Sequence, residues 1–270
     1  GRNYNQDFAG SMAKMERVLQ FPSPYKAESR EEYGKLVMLA LQAPNFPREA
    51  AVRYAQRALL EFQNTVREHP QDAYVRLTLA QWKFIAGSVL DPAYFLDTEA
   101  ELLKALSFSP TRQQIYYALI RFYMLRGNFP QAVEFAKRMV DLAPDIQVSH
   151  WYYGEALARA GEKERGYAEM LGALRGQFGP QGLVWSIPEM EYLVSLARET
   201  GATLEADWYG AILLLQKGDR PGALAGMEKA LAEGYGFTRA DAELLEAYLG
   251  RTPEDAELRF FLAKAFIQFG

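Results

Sequence analysis

The chain has no cysteine among its 270 residues, which excludes disulfides and thiolate metal sites and leaves the redox compartment open. It also lacks positive charge: the formal net charge is −4 and the isoelectric point is near 5.5. A general nucleic-acid or anionic-membrane surface needs a net positive field, so neither partner is expected. No run of about 18 apolar residues occurs, so this stretch does not insert in a bilayer by itself. Gly-x-Ser-x-Gly and His-Glu-x-x-His are both missing, which removes the easily recognised hydrolases and zinc proteases. The glycine-rich GQFGPQG has no Gly-Lys-Ser/Thr and follows no strand, so it is not a phosphate loop. Only two histidines are present. His69 sits at a helix end, facing its C-terminal dipole, and His150 has a half-buried packing role. Glu243, Glu246, Asp141 and Asp145 fall on exposed helix faces or ends, where solvation and capping explain them. No catalytic constellation, metal site or cofactor site is expected.

What the chain does have is helical periodicity. Within Gln113 to Ile146, Tyr116, Leu119, Ile120 and Tyr123 recur at the spacing of one helical face, and Val133, Ala136, Met139 and Val140 form a second stripe. Gly127-Asn128 separates them. Neither helix can bury its stripe alone, so the pair must pack on itself and then on a neighbour of the same kind. The unit resembles a tetratricopeptide (TPR) repeat, whose W-x2-L-G-x2-Y, A-x3-F and P positions read here as Tyr116, Leu119, Ile120, Tyr123, Ala132, Ala136 and Pro144. Ile120 and Ala136 depart from the small and large residues of that pattern, so a neighbour has to compensate. The period recurs: Gly161 follows Gly127 by 34 residues, and Tyr153, Gly154, Leu157, Gly166 and Ala173 take matching places. Gly87 precedes Gly127 by 40, one period plus about six inserted residues.

In chain order, residues 3–20 read as a helix with Phe8, Met12, Met15 and Leu19 on one face, broken by the two prolines of FPSPYK. Ser29 to Glu32 reads as a capping box opening a helix to about Gln42. A break at Ala43-Pro44-Asn45 leads to a helix from Arg48 to Glu68, closed by His69-Pro70. Ala73–Ala86 and Thr98–Leu106 form a pair ending at Ser109-Pro110, and Thr111 to Gln114 caps the central unit. RGQFGPQGLVWS reads as a loop. Ser186 to Glu189 caps a helix to about Thr200, Leu204–Lys217 pairs with Pro221–Glu233 around Gly218-Asp219, and Thr238 and Thr252-Pro253 open the last two helices. The expected fold is all-α, a right-handed superhelical array of antiparallel helix pairs. Its blocks are divergent helices over 1–70, TPR-like repeats over 71–174, a linker over 175–186 and truncated repeats over 187–270. The chain begins Gly1-Arg2, and Gly270 falls where Gly127 does in its repeat. This reads as a fragment, or as a last helix that pairs with another chain.

In TPR arrays the first helix of each pair lines a concave groove, and the resemblance carries this onto Tyr74, Leu77 and Gln81; Gln114, Tyr117 and Arg121; Trp151, Glu155 and Arg159; and Trp208. Tyr, Trp and Arg dominate binding hot spots because they join large contact area to a polar handle. Tyr117 and Trp151 either fill space between helices or contact a ligand, and Arg121 and Arg159 favour binding, for instance of a peptide carboxylate. The Lys/Asn pattern of chaperone-tail clamps is not present. A narrower resemblance covers residues 3 to about 175: HPQDAYVRLTLA, LLKALSFSPTRQQIYYAL and LAPDIQVSHWYYGEALARAGEKERGY are similar to the TPR tail of bacterial O-antigen ligase-type membrane proteins. It implies a non-catalytic protein-interaction scaffold beside a bacterial inner membrane, on a side the sequence does not reveal, with a protein or peptide in the groove; the apolar face of the C-terminal helix separately points to self-association. The alternatives are a free-standing, cytoplasmic TPR adaptor in secretion, envelope assembly or chaperoning, and a helical accessory region of a soluble glycosyltransferase.

Overall fold

The computed structural model describes residues 8–43, 46–176, 186–250 and 252–269. All regular structure in these residues is α-helical: α1 (Phe8–Gln20), α2 (Lys26–Gln42), α3 (Arg48–Glu68), α4 (Ala73–Val89), α5 (Tyr94–Phe108), α6 (Gln113–Leu125), α7 (Phe129–Leu142), α8 (Gln147–Arg159), α9 (Lys163–Leu174), α10 (Ile187–Glu199), α11 (Thr203–Gln216), α12 (Arg220–Ala232), α13 (Arg239–Leu249) and α14 (Ala256–Phe269). The helices belong to two compact units, residues 1–119 and 120–270, divided within α6. In the first, each of α1 to α4 packs on the helix that follows it; in the second, the run from α7 to α12 does the same, and α13 packs on α14. This is the helix-hairpin, TPR-like architecture that the periodicity predicts. Residues 44 and 45 of the expected break, most of the linker at 175–186, and Gly270 lie outside the described residues.

The turns follow from glycine and proline chemistry. Gly127 and Gly161, one period apart, have φ of 69° and 99°, a region that costs little only without a Cβ. Prolines close four of the helix junctions, and the side chain six residues beyond each one donates back to the proline carbonyl. Arg76 Nε reaches Pro70 O at 2.8 Å, Tyr116 OH reaches Pro110 O at 2.7 Å and His150 Nε2 reaches Pro144 O at 2.8 Å; Arg259 does the same to Pro253 O. The aromatic position that opens the TPR pattern is thus a donor position here, which is why arginine can replace tyrosine there. His150, expected half-buried, is buried, with Nδ1 2.9 Å from Glu169 Oε2 on α9.

Within the first unit, Trp82 on α4 stacks on Phe62 of α3 with ring centroids 5.4 Å apart. Met12, Tyr33, Val37, Tyr54, Ala58 and Leu79 complete a core with them. A buried ion network joins α2 to α3. Arg30, 2% exposed, donates Nε to Glu61 at 3.0 Å, Nη1 to Thr65 Oγ1 at 3.1 Å, and Nη1 and Nη2 to Glu68 at 2.5 and 2.9 Å. Arg57 holds the other oxygen of Glu61 at 2.6 Å.

In the second unit the expected compensation is present: Phe135 supplies the ring that Ala136 lacks and stacks on Tyr123 at 5.5 Å. Next, Gly154 of α8 crosses Gly166 of α9 at backbone contact. A Cβ on Gly154 would lie 2.6 Å from Gly166 O, and one on Gly166 would lie 2.5 Å from Gly154 O. Gly154→Ala is therefore expected to force the two helices apart and cost about 1–3 kcal/mol, the usual range for overpacking, read as a lower urea midpoint.

Three of the expected helix starts are displaced. The start expected at Thr98 lies inside α5, which begins four residues earlier at Tyr94. Ser29 lies inside α2, its hydroxyl donating to Tyr25 O, because the helix already begins at Lys26. The last helix opens at Ala256, where Asp255 and not Thr252 accepts from Leu258 N at 3.0 Å. Ser186 with Glu189 and Thr238 with Asp241 form the capping boxes that start α10 and α13. Asp255 also takes both arms of Arg220, at 2.7 and 2.8 Å, and this pairing holds its carboxyl down at about 2. A depressed carboxyl stabilises the fold above its unfolded value and loses that contribution as pH falls through the folded one. Stability is therefore expected to fall between about pH 4 and pH 2, with a shallower slope in Arg220→Met, checked by urea titration across that window.

Candidate functional site

The ten residues expected in the groove occupy four helices and do not share one environment. On α4, Tyr74 is 43% exposed, with the Arg112 guanidinium 5.3 Å from its ring centre, and Gln81, two turns on, is also exposed. Leu77 between them is buried in the core. On α6, Gln114 and Arg121 are exposed or partly so, and Tyr117 is half-buried. These α4 and α6 positions put polar and aromatic side chains on faces their own packing stripes leave open.

The four on α8 and α11 divide more sharply. Trp151 and Trp208 are both 0% exposed, which corrects their placement in a ligand groove. Trp151 lies in the core with Met170, Met190 and Leu193, so of its two readings packing holds. Trp208 is enclosed by two rings missed in the sequence: it stacks on Tyr235 at 5.0 Å and meets Phe237 edge-on at 5.0 Å. Its Nε1 donates to Asp241 Oδ1 at 2.7 Å. Asp241, itself fully buried, also accepts from Tyr235 OH at 3.0 Å and from Thr238 N and Oγ1 at 2.7 and 2.6 Å. Three of these four donors converge on Oδ2 and the indole takes Oδ1. This is a structural hub pinning α11 to the start of α13, and its burial keeps a ligand from it.

Glu155 and Arg159 remain at the surface of α8. Arg159 donates Nε to Glu155 Oε1 at 2.9 Å, and its guanidinium lies 4.8 Å from the ring centre of Tyr192 on α10. The Arg159 side chain is still 42% exposed. An arginine held on one side by a carboxylate and on its face by an aromatic ring is pre-ordered, so it loses less rotamer freedom when a partner docks. Tyr192 was not legible as a site residue because it lies beyond the loop at which the repeat register is lost. The Tyr192 hydroxyl keeps its proton, since burial and the nearby Glu155 and Glu199 raise its pKa against the opposing Arg159.

Among the described residues no three His, Cys, Asp or Glu side chains come together as a metal site, and no helix is long and apolar enough to cross a membrane. On α14, Phe260, Phe266 and Ile267 are exposed, the last at 80%.

No protein-family model matches the chain, and no curated protein matches it. Several solved structures do. One is MamA, from residue 41 to its end, of Desulfovibrio magneticus RS-1: 14% identical, 75% of this chain against 93% of that one, TM-score 0.40. Another is a thermophilic TPR protein of Thermus thermophilus: 18% identical, 88% against 99%, TM-score 0.38. A third is the human IFIT1 dimer with m7Gppp-AAAA: 17% identical, 97% against 64%, TM-score 0.46. The helix-hairpin fold stands on the chain's own packing, described above.

Proposed function

We propose that the chain is a non-catalytic scaffold that binds a protein or peptide, through the exposed face of α8 in the second unit and, as a separate face, that of α4 in the first. The observation that carries this reading is Arg159, surface-exposed yet clamped between Glu155 and the Tyr192 ring. Arginine in that state offers charge and donors to a partner's carboxylate or backbone carbonyls at low entropic cost. Tyr74, backed by Arg112, offers an aromatic contact of the same pre-ordered kind. Gln81, Gln114 and Tyr117 supply further polar contacts in the first unit and Arg121 in the second, while Trp151 and Trp208 are left out.

The test is retention of partners by immobilised protein. Arg159→Glu and Tyr74→Ala lie at the surface and are expected to leave the thermal transition in place while losing the retained partner. Retention equal to wild type in both variants overturns the reading.

The parent we propose is an O-antigen ligase-type membrane protein, supported by the similarity of SPTRQQIYYAL and its flanking phrases to that family's tail. Sequence upstream of Gly1 decides it: about ten apolar spans of some 20 residues are expected there, and a soluble domain in their place refutes it. We also propose that α14, with Phe260, Phe266 and Ile267 exposed, mediates self-association. Sedimentation should show dimers that Phe266→Glu with Ile267→Lys dissolves; a wild-type monomer at high concentration rules this out.

A further inference from the structure

A groove of about 410 Å³ opens between α10, α11 and α12, on residues separate from those of the proposed binding faces. Its origin is a missing side chain. On α11, Asp207, Gly210, Ala211, Leu214 and Lys217 form one stripe, spaced as one face of a helix. Where a stripe of this spacing would carry a large residue, Gly210 carries none. A Cβ placed there would have only Arg198 Nη2 and Val194 Cγ1 near it, each at 3.8 Å. Gly226 on α12 opens the opposite wall, and Val194 and Leu214 give the floor its apolar character.

The charges around the rim are unequal. Lys217 is neutralised by Glu191 at 2.6 Å, and Lys229 by Asp207 at 2.7 Å. The hydrogen bond to Asp207 raises the Lys229 pKa, so that ammonium stays charged and paired. Arg198 is different: it is exposed and, among the described residues, has no carboxylate partner. The groove thus combines an apolar hollow the size of a small ligand site with one uncompensated cation directly over its gap.

We propose that this groove takes a peptide segment of a protein partner, one large aliphatic or aromatic side chain entering the hollow over Gly210 and an adjacent Asp or Glu pairing with Arg198. Charge complementarity selects this occupant: both rim lysines are paired, Lys229 with Glu233 as well as Asp207, and Arg198 is left to attract an acidic segment and repel a basic one. The guanidinium fork fits a carboxylate, and the absent side chain at Gly210 lets a side chain approach the helix backbone. Because no residue is shared with α4, α6 or α8, either site can fail without the other.

The probes are the labelled peptide Ser-Leu-Asp-Phe-Ser, acetylated and amidated so that its ends carry no charge, and its Asn analogue, titrated by fluorescence polarisation. The Asp peptide is expected to bind about tenfold more tightly than the Asn peptide, the usual worth of a charged hydrogen bond. Arg198→Gln should erase that difference, and Gly210→Leu, which fills the hollow, should weaken both peptides. Gly210→Ala is the folding control, since its Cβ meets only ordinary contacts and alanine favours the helix. Equal binding of the two peptides, binding untouched by Gly210→Leu in a folded variant, or no binding of either peptide at millimolar concentration each overturns the proposal.

Discussion

Arg30→Met is expected to destabilise the first unit by about 3–5 kcal/mol, the range found when one partner of a buried ion pair is removed. The reason is what stays behind. Glu61 is 3% exposed and would keep only Arg57, and Thr65, also buried, would lose the donor to its hydroxyl. Glu68 is half exposed, so it can turn to water; its share of the loss is small. Removing the network as a whole should cost less, because methionine, glutamine and valine at 30, 61 and 65 leave no orphaned charge among them. The measurement is urea unfolding followed by circular dichroism. A single variant within about 1 kcal/mol of wild type would mean that Arg30 is solvated and not enclosed. The network also acts on acid stability: hydrogen bonds from Arg30 lower the Glu68 pKa, so stability from this carboxylate is present above the ordinary glutamate range and is lost as pH falls below it.

Asp241→Ala carries the second large effect. The carboxylate accepts from the Trp208 indole, the Tyr235 hydroxyl, and the backbone and hydroxyl of Thr238. Trp208 and Tyr235 are buried, so both lose their partner where water cannot replace it. At about 1–3 kcal/mol for each buried unsatisfied group, with the lost cap of α13 added, the cost is about 3–6 kcal/mol. Asp241→Asn keeps the shape but turns an amide N–H₂ toward donors, so it should recover only part of the loss. Trp208 reports locally: its fluorescence should shift to the red in Asp241→Ala before global unfolding. Unaltered emission and stability would contradict the hub.

The periodic stripes made the helix pairs legible, because a 3.6-residue repeat of apolar side chains has one stable solution, burial against a like neighbour. Arg48–Glu68 is bounded as the sequence predicts, and Gly127 and Gly161 sit at the turns that only glycine adopts cheaply. The caps were less legible. Ser29 has a capping spacing, yet α2 begins three residues earlier, since the local pattern does not record which turn the preceding chain can close. The binding face was legible as a helix face but not in depth. Trp151 and Trp208 stand at ligand-facing register, and what buries them comes from elsewhere in the chain: for Trp208 it is Tyr235 and Phe237, in a segment with no repeat signal. Tyr192, which completes the setting of Arg159, lies past the same loss of register. Conversely, the arginines at 76 and 259 hid the recurrence of the proline-carbonyl bond, because the family pattern asks for an aromatic and the bond asks only for a donor.

Site-specific photo-crosslinking decides whether the exposed faces of α4 and α8 each hold a partner. A benzophenone side chain is placed at Gln81 or Arg159, both exposed on α4 and α8, and for comparison at Arg138, exposed on α7 and paired with Glu134. The prediction is a protein crosslinked from 159 and absent from 138, both in the second unit, and, for the separate face of the first unit, a protein crosslinked from 81. Equal crosslinking from all three, or a partner reached from 138 alone, would contradict it.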